Sequence, residues 1–267
     1  MKKFMNLLND ELKRAKWLYL ILVIAVILTQ SLVIFRQFRQ ANYYFMNQRD
    51  AFYMLTLADI FKQTPLFFLI IGVAALSLIL YSMFTWVREW HFQGNYIYRL
   101  LMLPGSRMPI FMAKFVSILL MIVGLWMTQL FILFATDWIG NLLPHLYHSS
   151  SVVQVLMQHL DGFQVVMSMH FQSFIFIYLF GFNFLIGLMN ITIIVLSYRS
   201  YHLIQTILLP LLYLFFSWGI SALIIQFASA INFTSFEFNI VAMTLLVIAM
   251  VIQLSISYYI MNHYISV

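Results

Sequence analysis

Cysteine is absent and charge is scarce. Only 8% of the 267 residues are Asp, Glu, Lys or Arg, 64% are hydrophobic, and the mean hydropathy is +0.94. Without thiols there are no disulfides and no thiol catalysis. Without enough charge to cover a surface there is no soluble domain, because such large apolar patches aggregate in water, whereas lipid solvates them. No G-x-x-x-x-G-K-[ST] run occurs, and no lysine is followed by Ser or Thr, so the chain carries no P-loop. The cores of the long apolar runs contain no Asp, Glu, Lys, Arg or His. That argues against ion- or proton-coupled carriage, which needs ionisable groups at depth, and against an intramembrane hydrolase or a charged ion filter.

The apolar runs themselves are Trp17–Phe35, Thr64–Val87, Phe115–Ala135, Phe171–Tyr198, Leu203–Phe236 and Phe238–Asn262. An uncharged helix needs about 20 residues to cross a hydrocarbon layer roughly 30 Å thick. The fifth run is too long for one crossing and is read as a span to about Ile224, followed by a weakly polar segment with Ser229, Asn232, Thr234 and Ser235. Membrane strands alternate, and these runs do not. The expectation is an all-α polytopic membrane protein with six transmembrane helices at about 17–35, 64–87, 115–135, 171–198, 203–224 and 238–262. Trp17–Phe35 is longer than a signal-peptide core and no small-x-small site follows it, so the first span is expected to remain as an anchor.

Basic residues set the orientation. Lys2, Lys3, Lys13, Arg14 and Lys16 precede the first span, Arg88, Arg99, Arg107 and Lys114 follow the second, and Arg199 follows the fourth. Arg36, Arg39, Arg49 and Lys62 fall on the other side, all in the first outer loop. The positive-inside rule places both termini in the cytosol of a multi-pass cell (plasma) membrane protein. The net charge of +6 is therefore topological and implies no nucleic-acid partner.

Residues 1–16 are expected to form an interfacial amphipathic helix, with Phe4, Leu8 and Leu12 recurring every four residues. The first outer loop, Arg36–Gln63, is rich in aromatics suited to the headgroup level. The second, Thr136–His170, holds His145, His148, His159 and His170, a spacing that makes a poor zinc site. In span four, Asn183, Gly187 and Asn190 share one face. The stripe suits close helix packing with hydrogen bonds in lipid, or a polar face toward a translocation path. Pro210 is expected to kink span five.

The cytosolic connection after span two carries the most information. Helix is expected to continue through Arg88 and Glu89, Gly94 to permit a sharp turn, and Asn95–Leu103 to make about two helical turns that Pro104 terminates. Ser106 and Pro109 suit the start of the next helix.

This segment resembles the membrane subunit of ABC-2 type ATP-binding-cassette transporters. The similarity rests on Glu89, Gly94, Leu100-Leu101-Met102-Leu103-Pro104-Gly105-Ser106-Arg107 and Lys114, on the basic leading helix with Leu7-Leu8-x-x-Glu11-Leu12-Lys13-Arg14, and on six spans with both ends inside. It covers the whole chain in layout and some 40 residues in motif. The resemblance implies a permease subunit with no enzymatic site of its own and no cofactor on this chain. ATP and Mg would be bound by a separate ATP-binding cassette subunit, with a second permease copy or a related chain completing the path. The short cytosolic helix would be the coupling helix, with Tyr96, Ile97, Leu100 and Leu101 as apolar knobs and Glu89, Arg99 and Arg107 as polar contacts. Aromatic and Met-rich spans (27 Phe, 17 Met) suit export of a hydrophobic or amphipathic compound such as an antimicrobial peptide, a drug or a lipid-linked molecule. The short Gln226–Glu237 connection departs from the family, in which outer re-entrant helices are common there. The alternative class is a polytopic membrane enzyme, or a sensor or assembly factor, without transport.

Overall fold

The computed structural model describes residues 2–48, 55–57, 60, 65–92, 102, 106–144, 146–148, 171–198, 211, 213 and 235–263. Five long helices carry the fold: α1 (Lys2–Gln48), α2 (Pro65–Val87), α3 (Met108–Asn141), α4 (Phe171–Tyr198) and α5 (Ser235–His263). All five are long and apolar enough to cross a membrane by length and composition. A π-helical turn, Arg88–Phe92, continues α2. Among the described residues there is no strand, only an isolated bridge between Leu55 and Tyr147.

The observed boundaries differ instructively from the hydropathy runs. The interfacial segment 1–16, span 17–35 and the start of the first outer loop form one unbroken helix of 47 residues. No Gly or Pro occurs before Pro65, so nothing interrupts the hydrogen-bond ladder. Similarly, α3 extends the run 115–135 at both ends, taking in Lys114 and Asp137. Pro65 sits at the first position of α2 and Pro109 in the first turn of α3, where a missing N–H costs nothing. The run 171–198 matches α4, and 238–262 lies inside α5. Span 203–224 falls outside the described residues except for Leu211 and Tyr213.

Contacts divide the chain into two compact units: one of residues 1–13, 79–118 and 170–267, the other of 14–78 and 119–169. Within the first, the starts of α1 and α3 run parallel. Lys3 Nζ donates to the Ser106 carbonyl and Lys114 Nζ to Glu11 Oε1, both pairs 103 residues apart. The C-terminal end of α2 and the π-turn that follows it meet these two starts. Helices α4 and α5 are also parallel, since Asn183 bonds the Leu246 carbonyl and Asn190 the Gln253 carbonyl, each 63 residues away.

Within the second unit, a core of Ile34, Phe38 and Ala41 from α1, Leu55, Leu57 and Ile60, Phe67 from α2, and Ile132 and Leu133 from α3 closes around Tyr147. Tight turns after α3 return the chain: Leu143 N–H donates to the Gly140 carbonyl and Tyr147 N–H to the Leu143 carbonyl. Leu55 then pairs with this return through Leu55 N–H to the Leu146 carbonyl and His148 N–H to the Leu55 carbonyl. Tyr147 Oη donates to Asp137 Oδ1 at 2.7 Å. Deeper along the same helices, Gln30 Nε2 donates to Gln129 Oε1 at 3.1 Å, an amide bond of the kind that holds helices together in lipid.

The Tyr147 ring lies flat against the backbone of Gly140. A Cβ built there would come within 2.7 Å of two ring atoms, and the ring cannot retreat without losing the Asp137 bond. Gly140→Ala should therefore lower stability by about 1–3 kcal/mol, as overpacked cores do. Thermal unfolding in detergent checks this, with Gly72→Ala, where a Cβ meets nothing within 4 Å, as the control.

Candidate functional site: a buried charge cluster at the base of three helices

Within the first unit, α1, α2 and α3 each turn a buried stripe inward, and each stripe carries one ionisable group. In α1 the buried positions Leu8 and Glu11 lie three residues apart. In α2 the stripe is Ser82, Thr85, Trp86 and Glu89, the last reached through the π-turn. In α3 it is Ile110, Phe111, Lys114 and Ile118. Spacings of three and four put these side chains on single helix faces.

The three charged groups meet. Lys114 Nζ lies 2.7 Å from Glu11 Oε1 and 2.9 Å from Glu89 Oε1, with the lysine and Glu89 side chains wholly buried. Arg88 Nη2 stands 3.6 Å from Glu11 Oε2. Two carboxylates, one ammonium and one guanidinium make a set that is neutral overall. The Lys114 ammonium also sits 5.1 Å from the centroid of the Trp86 ring, whose negative face favours a cation. Trp86 in turn packs on Phe111 with ring centroids 6.3 Å apart. A buried ion is tolerated only when paired and hydrogen-bonded, and removing one partner leaves a charge that the surroundings cannot solvate.

The cluster draws Glu89 and Lys114, at the two ends of the connection between α2 and α3, against the same residue of α1. Further bonds fix the exit of that connection. The Ser106 carbonyl accepts from Lys3, and Arg107 Nη1 donates to the Met261 carbonyl at the end of α5 at 3.0 Å.

Of the residues expected at the coupling segment, Glu89 is at the centre of the cluster and Arg107 braces α5. Gly94, Tyr96, Ile97, Arg99, Leu100, Leu101 and Pro104 lie outside the described residues. Asn183, Gly187 and Asn190 come together as a stripe facing α5. Asn183 Nδ2 donates to the Leu179 and Leu246 carbonyls, and Asn190 Nδ2 to Tyr213 Oη and the Gln253 carbonyl. Asn190 Oδ1 accepts from Ser257 Oγ at 2.6 Å. Glu11, Trp86 and Arg88 were not expected in a site. For Glu11 the available signal was its place three residues after Leu8, on the apolar side of a helix otherwise read as surface-lying. Among the described residues no three His, Asp or Glu side chains converge as metal ligands, and His145, His159 and His170 lie outside them.

The chain has no significant match among protein-family models, curated proteins or solved structures.

Replacing Lys114 by Met leaves Glu89 without its counter-charge and should cost about 3–5 kcal/mol. Adding Glu89→Gln to that variant leaves Glu11 with Arg88 and should recover most of the loss. Denaturant or thermal unfolding of the single and double variants in detergent reads both effects.

Proposed function

We propose that the chain is the membrane-spanning permease subunit of an ATP-driven transporter of the ABC-2 type, exporting a hydrophobic or amphipathic compound across the cell membrane with both termini in the cytosol. The observation that carries this reading is the charge cluster. Glu89 and Lys114 hold the two ends of the α2–α3 connection, and Glu11 ties both to the first helix. A segment clamped in this way transmits a push to three helices at once, whereas a slack hairpin would absorb it. Residues Asn95–Leu103, between the clamped ends, serve as the coupling helix. Tyr96, Ile97, Leu100 and Leu101 insert into a separate ATP-binding cassette subunit that binds ATP and Mg, and Arg99 surrounds them with charge. The P-loop missing from this chain is supplied by that partner.

The parallel packing of α4 and α5 supports six crossings. Helix α4 has 28 residues and is roughly 42 Å long at 1.5 Å per residue. A further crossing between two parallel spans fits this packing, and 203–224 is the apolar stretch long enough to supply it. Tyr213, beside Asn190, falls midway along it. Two copies, or one copy with a related chain, enclose the path.

Affinity-tagged chain should co-purify with a P-loop ATPase. Leu100→Asp or Leu101→Asp should weaken that capture by roughly tenfold or more, the size expected when an interface anchor is lost. An epitope inserted at Gly94 should be reachable only after the membrane is permeabilised. Labelling at that site in intact cells would put the connection on the wrong side and end the proposal.

A further inference from the structure

The seam between α4 and α5 carries more polar atoms than helix packing uses. Asn190, Ser257 and the amide nitrogen of Asn183 are all engaged between the helices. Two carbonyl oxygens are not: Asn183 Oδ1 and Gln253 Oε1 are buried and have no hydrogen-bond partner, on side chains only 7% and 9% exposed. Leaving a buried acceptor unmet costs about 1–3 kcal/mol. Gln253 faces a bare patch of α4. Around the place where Gly187 would carry a Cβ, the nearest atoms are Gln253 Nε2 at 3.8 Å, Tyr213 Oη at 3.9 Å and Gln253 Oε1 at 4.0 Å. Tyr213 Oη accepts from Asn190 Nδ2, which leaves its own proton free to donate. The notch, with room for a group about the size of one methyl, therefore presents one acceptor and two kinds of donor, and no other described side chain lies nearer to it.

The described side chains of this seam include no acid or base. A charged group entering it would meet no counter-charge, which an apolar membrane interior penalises heavily. A hydroxyl or a primary amide both donates and accepts and carries no charge.

We propose that the Gly187 notch is a binding site for the uncharged hydroxyl or amide end of an otherwise apolar molecule. Gln253 Oε1 accepts from that group, and Tyr213 Oη or Gln253 Nε2 donates to it. This rests on the export reading and adds to it the class of cargo: long-chain alcohols, fatty amides and compounds with comparable ends.

The test uses the purified full chain in detergent and a diazirine-bearing hexadecanol as photoprobe. Labelling should fall on α4 or α5 and be suppressed by excess hexadecanol or hexadecanamide, but not by hexadecane. Gly187→Leu, which fills the notch, and Gln253→Leu, which removes the acceptor, should each reduce labelling about tenfold, corresponding to 1.4 kcal/mol. Thermal midpoints identify any variant that fails to fold, and either variant suffices for the conclusion. Equal suppression by hexadecane, or labelling unchanged in a folded variant, overturns the proposal; the latter outcome would leave the two oxygens to ordered water. Because this binding is read without the ATPase, its failure leaves the transporter reading standing, and failure to capture an ATPase leaves the notch standing.

Discussion

The constraint on which the rest depends is that the Lys114 ammonium is buried between two carboxylates from different helices. An ion in such surroundings has no solvent to fall back on, so its partners are obligatory, and they come from the first turns of α1 and the end of α2. The apolar stripes around it would tolerate some sliding of one helix along another. The ion cluster does not, because a shift of one helical turn would part the charges. Trp86 and Arg88 complete the surroundings, one offering a ring face and the other balancing the second carboxylate.

The same unit contains a second polar system of a different character. Between α4 and α5 the polar groups are amides and hydroxyls, spaced seven residues apart on both helices. Amide bonds in lipid are individually modest, because a separated helix finds other partners. A charge cluster fixes one arrangement, whereas an amide seam can exchange partners at low cost. The unit thus holds one polar system that fixes register and one that can re-pair.

Much of the fold was legible in the sequence because hydropathy and helix length are local quantities. Residues 171–198 were delimited as observed, and 64–87 to within one residue. Helices α1 and α3 outrun their apolar runs for a shared reason. Charge marks where lipid ends, not where a helix ends, and the chain from Met1 to Thr64 contains no residue that stops a helix. For the site, Glu89, Arg107 and Lys114 stood out as a motif around Gly94 and Pro104, and the Asn183, Gly187, Asn190 spacing placed them on one face. Their partners were not legible. Glu11 is 103 residues from Lys114, and Gln253 is 63 from Asn190, and no local pattern encodes pairings at those separations.

Helix α1 is longer than one crossing requires. At 47 residues it is roughly 70 Å long, more than twice the thickness of the hydrocarbon layer. Only its middle, from Trp17 to Phe35, is free of charge, so a lipid layer would take up that stretch and leave residues 2–16 and 36–48 to water and headgroups. The surplus sets Tyr43 and Tyr44 about two turns beyond the apolar stretch, a reach that a helix trimmed to its hydrophobic middle would not have.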